Sequence, residues 1–450
     1  MALSNAQTSV TNAVRIFNAK ILAASETERF RLVQGELWVR GNRICHVGPL
    51  DENRARELKE SLGPECSLRE IDAEGNLVCP GFKNAHTHTP MTAFRSYAEG
   101  LPLWQWLTEK IFPAEALLTG DDCYWLTTLG IMEYLTSGIT ANFDMYYFAE
   151  DNAKAAADCG FRSVFTGAYS RYYPSLDIHE ERFHRIHEIS PLSSYMLGYH
   201  AEYTNDEELL TKFAKLADKL KSPVWGHNSE TEAEVADCIK RWGMTPTRFA
   251  ESLGLYEHGG GGYHCVWFSD EDKEIFRKRG LTAVTNPSSN LKLASGICNA
   301  ADLLKAGVPV AIGTDGPSSN NCLDMFREMF LASGLSKVVS KDATSLGADE
   351  VLYMATAAGA HAMGLADCDG IAEGKLADLV LIDLQRPNMQ PENDHVANLV
   401  YSGSKENVKM TMVDGRILYE DRKFFIGHEP AEIYAKANAV IRRIREKLGA

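Results

Sequence analysis

Three short stretches of the chain carry side chains able to hold and use a divalent ion. The first is His86-Thr87-His88, at the end of an apolar run that starts at Leu77. In an extended strand, residues two apart point to the same side, so both imidazoles can face one ion. The second is His227, followed three residues later by Glu230, and the third is Gly313-Thr314-Asp315-Gly316. Three imidazoles and one carboxylate (His86, His88, His227, Asp315) suit one divalent metal ion, Zn2+ first, with Fe2+ or Mn2+ as alternatives. Each stretch has a plainer reading alone: His227 as a hydrogen-bonded core histidine, Asp315 as a turn residue beside glycine, Glu230 as an acid at a helix start. A single site explains all of them at once. Glu230 would then reach both a metal-held water and a substrate nitrogen. His200 and His264 end two further apolar runs and are expected on the same rim.

For residues so far apart in sequence to meet, a repeating scaffold is required. Eight apolar segments with polar ends serve as candidate strands: 77–88, 139–145, 163–169, 195–203, 223–230, 262–268, 282–290 and 309–316. Between them lie helical patterns, clearest over 206–220, 232–242 and 300–306, and this alternation is that of βα units around a parallel sheet. Eight such units close a (β/α)8 TIM barrel, whose functional side chains sit at the C-terminal strand ends. Residues 13–49, with a turn at Gly41-Asn42, and the stretches 377–383 and 408–419, with a turn at Asp414-Gly415, alternate as strands. The expected domains are therefore a barrel over 80–366 and a smaller discontinuous β-sandwich from 1–79 and 367–450. The run Gly259-Gly260-Gly261-Gly262 reads as a flexible approach to a strand, since a phosphate cradle would need it after one.

Composition narrows the function. The 450 residues include 46 Lys and Arg against 61 Asp and Glu, for a formal charge of -15, and no basic stripe offsets it, so nucleic acid is not an expected partner. Apolar residues make up 45% of the chain, yet no segment approaches the ~20 uninterrupted apolar residues of a membrane span. The 10 cysteines are widely spaced without a C-x-x-C pair, which reads as reduced, mostly buried thiols. With no charged-then-apolar order at the start, the expected address is cytoplasmic. A homodimer or homotetramer is the expected assembly, by the general prevalence of closed symmetric oligomers.

These motifs resemble the amidohydrolase superfamily, and within it the branch of S-adenosylhomocysteine and 5-methylthioadenosine deaminases, related to the triazine chlorohydrolases. The similarity runs through nearly the whole chain. It is most specific in the stretches 80–91, 227–231, 264–267, 286–293 and 313–316, while 374–380 resembles the family's return to its β-sandwich. The resemblance implies that His86, His88, His227 and Asp315 bind one metal, usually zinc, without a carbamylated lysine. It further implies that Asp315 takes a proton from the attacking water, Glu230 passes one to the ring nitrogen, and His264 steadies the hydroxide or the developing charge. The reaction expected is hydrolytic deamination of a nitrogen heterocycle, with an adenosine-type substrate foremost and a free purine, pterin, pyrimidine or triazine ring as alternatives. A changed leaving group and a non-catalytic structural relative are the rival readings.

By the same resemblance, His200, Glu230, Trp104, Gln105, Arg95 and Asn290 form the substrate-facing set, with Trp104 stacked on the ring. Two departures bear on the substrate. Members that hold a ribose usually carry an acid just before the Trp-Leu pair, where Trp104 and Gln105 stand here. An arginine often found after the third strand is also displaced: Gly167 occupies the nearest position and Arg171 lies four residues on.

Overall fold

The protein was analysed as a computed structural model, which describes residues 12–25, 27–63, 66–173 and 175–449. The chain enters through five strands: β1 (Asn12–Ala24), β2 (Phe30–Arg40), β3 (Arg43–Gly48), β4 (Ser67–Asp72) and β5 (Leu77–Pro80). After Gly81 it passes into eight more: β6 (Phe82–Thr87), β7 (Ile139–Met145), β8 (Arg162–Thr166), β9 (Ser193–Ala201), β10 (Val224–Asn228), β11 (Gly260–His264), β12 (Thr282–Thr285) and β13 (Val310–Ile312). It ends with β14 (Leu379–Ile382), β15 (Val408–Val413), β16 (Arg416–Glu420), β17 (Lys423–Phe424) and a helix over Pro430–Leu448.

Strands β6 to β13 pair in chain order, each parallel to the next. The amides of Thr314 and Asp315 donate to the carbonyl of His86, at 3.1 and 3.0 Å, and bring the last strand back to the first. This is the expected barrel, nearly closed. Its interior is filled by Phe143, Trp225 and Tyr263, with Phe143 edge-on to Trp225 at 5.1 Å and Trp225 stacked on Tyr263 at 5.6 Å. These rings form a solid floor beneath the strand ends.

The remaining strands make one nine-stranded mixed sheet, ordered β17-β16-β15-β14-β5-β1-β2-β3 with β4 on β1. Both ends of the chain therefore build it, through the central pair β5 and β14. One face buries Ile16, Ile21, Leu37, Val39, Val78, Leu379 and Met410. On the barrel side, Arg162 of β8 pairs with Asp378 at 3.1 Å and Asp414 at 2.9 Å, and the fully buried Lys83 lies 3.9 Å from Asp378. The C-terminal helix lies against the helix Gly120–Thr136, where Arg443 pairs with Asp122 at 2.5 Å. Its Ala437, Val440 and Ile444 share a buried cluster with Met91, Trp106 and Leu107.

Two readings change in the structure. The apolar stretch 77–88 is split between two sheets, because the chain crosses from β5 to β6 at Gly81, whose absent Cβ would fall 2.2 Å from Thr140. The glycine run is not a linker: Gly260, Gly261 and Gly262 are wall residues of β11. A Cβ on Gly261 would lie 2.1 Å from the Thr282 carbonyl and 2.5 Å from the Trp225 ring, so glycine is what lets these strands close on the aromatic floor. No helix among the described residues is long and apolar enough to cross a membrane.

Candidate active site

The C-terminal strand ends bring the named histidines together. His86, in β6, stacks flat on Tyr263 at 3.7 Å, which fixes its ring upon the floor of the barrel. His88 follows β6 and sends its Nδ1 proton to the Met145 carbonyl at 2.7 Å, while His227 of β10 sends its own to the His200 carbonyl at 2.6 Å. Donation at Nδ1 turns Nε2 of each ring towards the cluster. The two Nε2 atoms lie 3.3 Å apart. Asp315 Oδ1 stands 3.2 Å from His88 Nε2 and 3.4 Å from His86 Nε2. Both ring nitrogens of His86 are buried without a hydrogen-bond partner among the described residues.

These spacings fit a cation. Four ligands bonded at 2.0–2.1 Å in a tetrahedron sit about 3.3 Å apart, close to the 3.2, 3.3 and 3.4 Å found here. Burial pushes His86 and His200 down to about 3 and His227 well below the usual imidazole range, so these rings are neutral at pH 7, as ligands must be. His88 is the exception: burial works against its proton, but Asp315 and the Met145 carbonyl outweigh it and raise its value. His264 stands in the same cluster, one of four donors with His86, His227 and Asp315 within 4.8 Å of one another.

Two carboxyls flank this cluster in opposite states. Burial alone would raise Asp315, yet the imidazoles of His86 and His88 hold it well below the carboxylate range, and Ser289 and Ser319 donate to its Oδ2 at 2.5 and 2.8 Å. Burial raises Glu230; Ser295 donates to its Oε1 at 3.0 Å and its Oε2 lies 3.8 Å from His264 Nε2. A carboxyl held low beside one held high is the arrangement of a base and an acid.

Comparison with known proteins shows what the whole chain is similar to. The amidohydrolase family model matches residues 77–418. The chain belongs to the amidohydrolase family. A 5'-deoxyadenosine deaminase of Methanothermobacter thermautotrophicus is 40% identical over 83% of this chain and 88% of its own length. A 5-methylthioadenosine/S-adenosylhomocysteine deaminase of Caldanaerobacter subterraneus is 36% identical over 91% of this chain and 93% of its own. The crystal structure of an adenosine deaminase from Xanthomonas campestris with bound zinc superposes with a TM-score of 0.87, at 32% identity, over 97% of this chain and 98% of that one.

Above the cluster this amidohydrolase has a pocket closed by the segment Leu103 to Glu115. His200 lines it, with its Nδ1 proton donated to Thr204 Oγ1 at 3.0 Å. Three other residues expected at the substrate are not in its lining. Arg95 turns away to an ion pair with Glu133, Gln105 is exposed and donates to Glu109, and Trp104 is 53% exposed with its ring edge-on to Tyr203. Their neighbours Leu103, Trp106 and Leu107 face inward instead, because a helical turn at 103–106 presents alternate sides to solvent and pocket. Asn290 lies behind the lining, and its Oδ1 accepts from His264 Nδ1 at 2.7 Å, so it orients that ring. Sequence reasoning assigns no role to Ser289, although it lies in the stretch 286–293, and overlooks Ser295 and Ser319, which carry no pattern. It also overlooks Glu115, whose signal is a lone acid inside the apolar run 111–118.

Proposed function

We propose that this amidohydrolase is a zinc-dependent hydrolytic deaminase of adenosine-type nucleosides, acting in the cytoplasm, that exchanges the exocyclic amino group for oxygen and releases ammonia. The observation that carries it is the convergence of His88 Nε2, His227 Nε2 and Asp315 Oδ1 at 3.2–3.3 Å, with Glu230 alongside. The names of the relatives support the substrate class, and the free thiols fit a reducing compartment. His86, His88, His227 and Asp315 would hold the ion, whose Lewis acidity brings the pKa of water from ~16 towards ~7.

The protein groups do the rest. Asp315 Oδ1, ionised, receives the proton lost by the attacking water. Glu230, protonated, delivers its proton from Oε2 to the ring nitrogen next to the carbon under attack, so that charge does not build on the ring. His264, held by Asn290 through Nδ1, offers Nε2 to the developing charge. The carbon–nitrogen bond then breaks, ammonia leaves with the proton passed on by the carboxyls, and a carbonyl remains.

The test is ammonia release by zinc-loaded protein across adenosine derivatives, guanine, cytosine, pterins and aminotriazines. Adenosine derivatives should give the highest kcat/KM. Glu230→Gln should retain zinc and lower kcat by about 10²–10⁴-fold. Activity confined to another ring would replace the substrate class, and zinc-free protein from every preparation would end the metal-dependent reading.

A further inference from the structure

The pocket's charge is one-sided. Its lining includes the carboxyl of Glu115, remote in sequence from the metal cluster, but no lysine or arginine. Every lysine and arginine of the chain lies among the described residues, so none is hidden from this comparison. The cations that border the lining are engaged elsewhere. Arg171 donates to the carbonyls of Thr204 and Asn205, Arg95 pairs with Glu133, and Lys292 donates to the Ser318 carbonyl and pairs with Glu99. Lys110, within the covering segment, points to solvent.

Glu115 itself is set firmly. It is 6% exposed, and its Oε1 accepts from the Tyr146 hydroxyl at 2.8 Å, while among the described residues no group donates to Oε2. Phe112 and Tyr147 line the pocket beside it, backed by Tyr172 at 5.6 Å and Tyr173 at 3.9 Å, with Leu103, Leu107 and Met91 among the apolar lining. A carboxylate entering such a space loses its water and gains no lysine or arginine in return, and above the value of about 7 to which burial raises Glu115 it meets a like charge. A neutral tail loses little and gains contact with the rings.

We propose that Glu115 is a substrate-contacting carboxylate which, in a pocket lined by no lysine or arginine, restricts this amidohydrolase to nucleosides with uncharged 5′ substituents and turns away those ending in a carboxylate. The proposal rests on the nucleoside deaminase reading and goes further, because it divides adenosine-type substrates by the charge of the 5′ substituent, with 5-methylthioadenosine, which ends in a methyl group, on the accepted side.

The decisive comparison uses isosteric probes, the 5′-carboxamide and the 5′-carboxylate of adenosine, beside 5-methylthioadenosine, with zinc-loaded protein at pH ~8.5. The carboxamide should exceed the carboxylate at least tenfold in kcat/KM, with the difference in KM. In Glu115→Gln the ratio should narrow to about threefold or less, through better use of the carboxylate. Equal use of both probes by the unaltered protein overturns the proposal even if the variant does not fold. So does a variant whose ratio is unchanged. Turnover of 5-methylthioadenosine with a flat probe ratio removes this proposal alone, whereas no ammonia from any of the three removes the nucleoside reading beneath it.

Discussion

Asp315, His264 and Ser229 all hold left-handed backbone, with φ of 59°, 73° and 51°, although none is glycine. Such a conformation costs about 1–3 kcal/mol per residue, and it clusters where a side chain has to be aimed. Here it turns the chain sharply at three strand ends, so the side chains project over the barrel mouth. Buried carboxyls form a second group of individually costly residues. Glu328 accepts from the Ser288 amide at 2.9 Å, its other oxygen has no partner among the described residues, and burial pushes it up to about 8. Its folded value lies above the unfolded one, so its contribution is complete below the unfolded value of about 4.5 and is lost as pH rises through about 8. Glu328→Gln should therefore match the unaltered protein near pH 5 and be the more stable above pH 8. The slope of stability with pH should fall by up to about 1.4 kcal/mol per unit between those limits, as read by denaturant melts. Identical slopes would show that Glu328 ionises freely in the fold.

Among the elements, β13 has the shortest ladder of the barrel strands and the greatest leverage on the site. It spans Val310–Ile312, and beyond it Gly313 lets the chain pass against β6. A Cβ there would fall 2.5 Å from Asn286 Oδ1 and 2.8 Å from the amide nitrogen of His86, too close for either to stay in place. Gly313→Ala should destabilise the fold by about 1–3 kcal/mol through overpacking. It should also weaken zinc binding at least tenfold, since Asp315 is held to His86 by the next two amides. Calorimetric melts and zinc titration measure the two effects, and unaltered zinc affinity would mean that barrel closure does not set ligand spacing. The strand Ile139–Met145 was readable residue by residue, as apolar Ile139, Ala141, Phe143 and Met145 alternating with polar Thr140, Asn142 and Asp144. The ends of β10 to β13 were not, because their sharp turns use serine, histidine and aspartate, which have no turn signal of glycine's strength.

Across the whole molecule, the nine-stranded sheet is tied to the barrel floor by charges rather than by apolar contact alone. Asp378 is completely buried and answers Arg162, Lys83 and the Asp414 amide at once. Removing one member of such a group leaves the others buried without compensation, at a cost of about 3–5 kcal/mol. Asp378→Ala should lose that much stability in chemical denaturation, while kcat per folded molecule stays within about twofold, because the charges lie at the end of the barrel opposite to the ligands. A large fall in kcat with stability unchanged would contradict that separation of roles.

The amino-acid sequence alone determined the alternation of strands and helices, the barrel it implies and the identity of the chemically able residues, because apolar periodicity and H-x-H spacing are local properties. Tertiary structure decided which of those residues meet. It turned Arg95 and Gln105 to the surface, put Asn290 behind His264 and brought Glu115 into the pocket. The physical reason is that a side chain's direction at the end of an element depends on the turn beyond it and on partners hundreds of residues away, such as Asp315 for His86 and His264 for Asn290, and no local pattern encodes either.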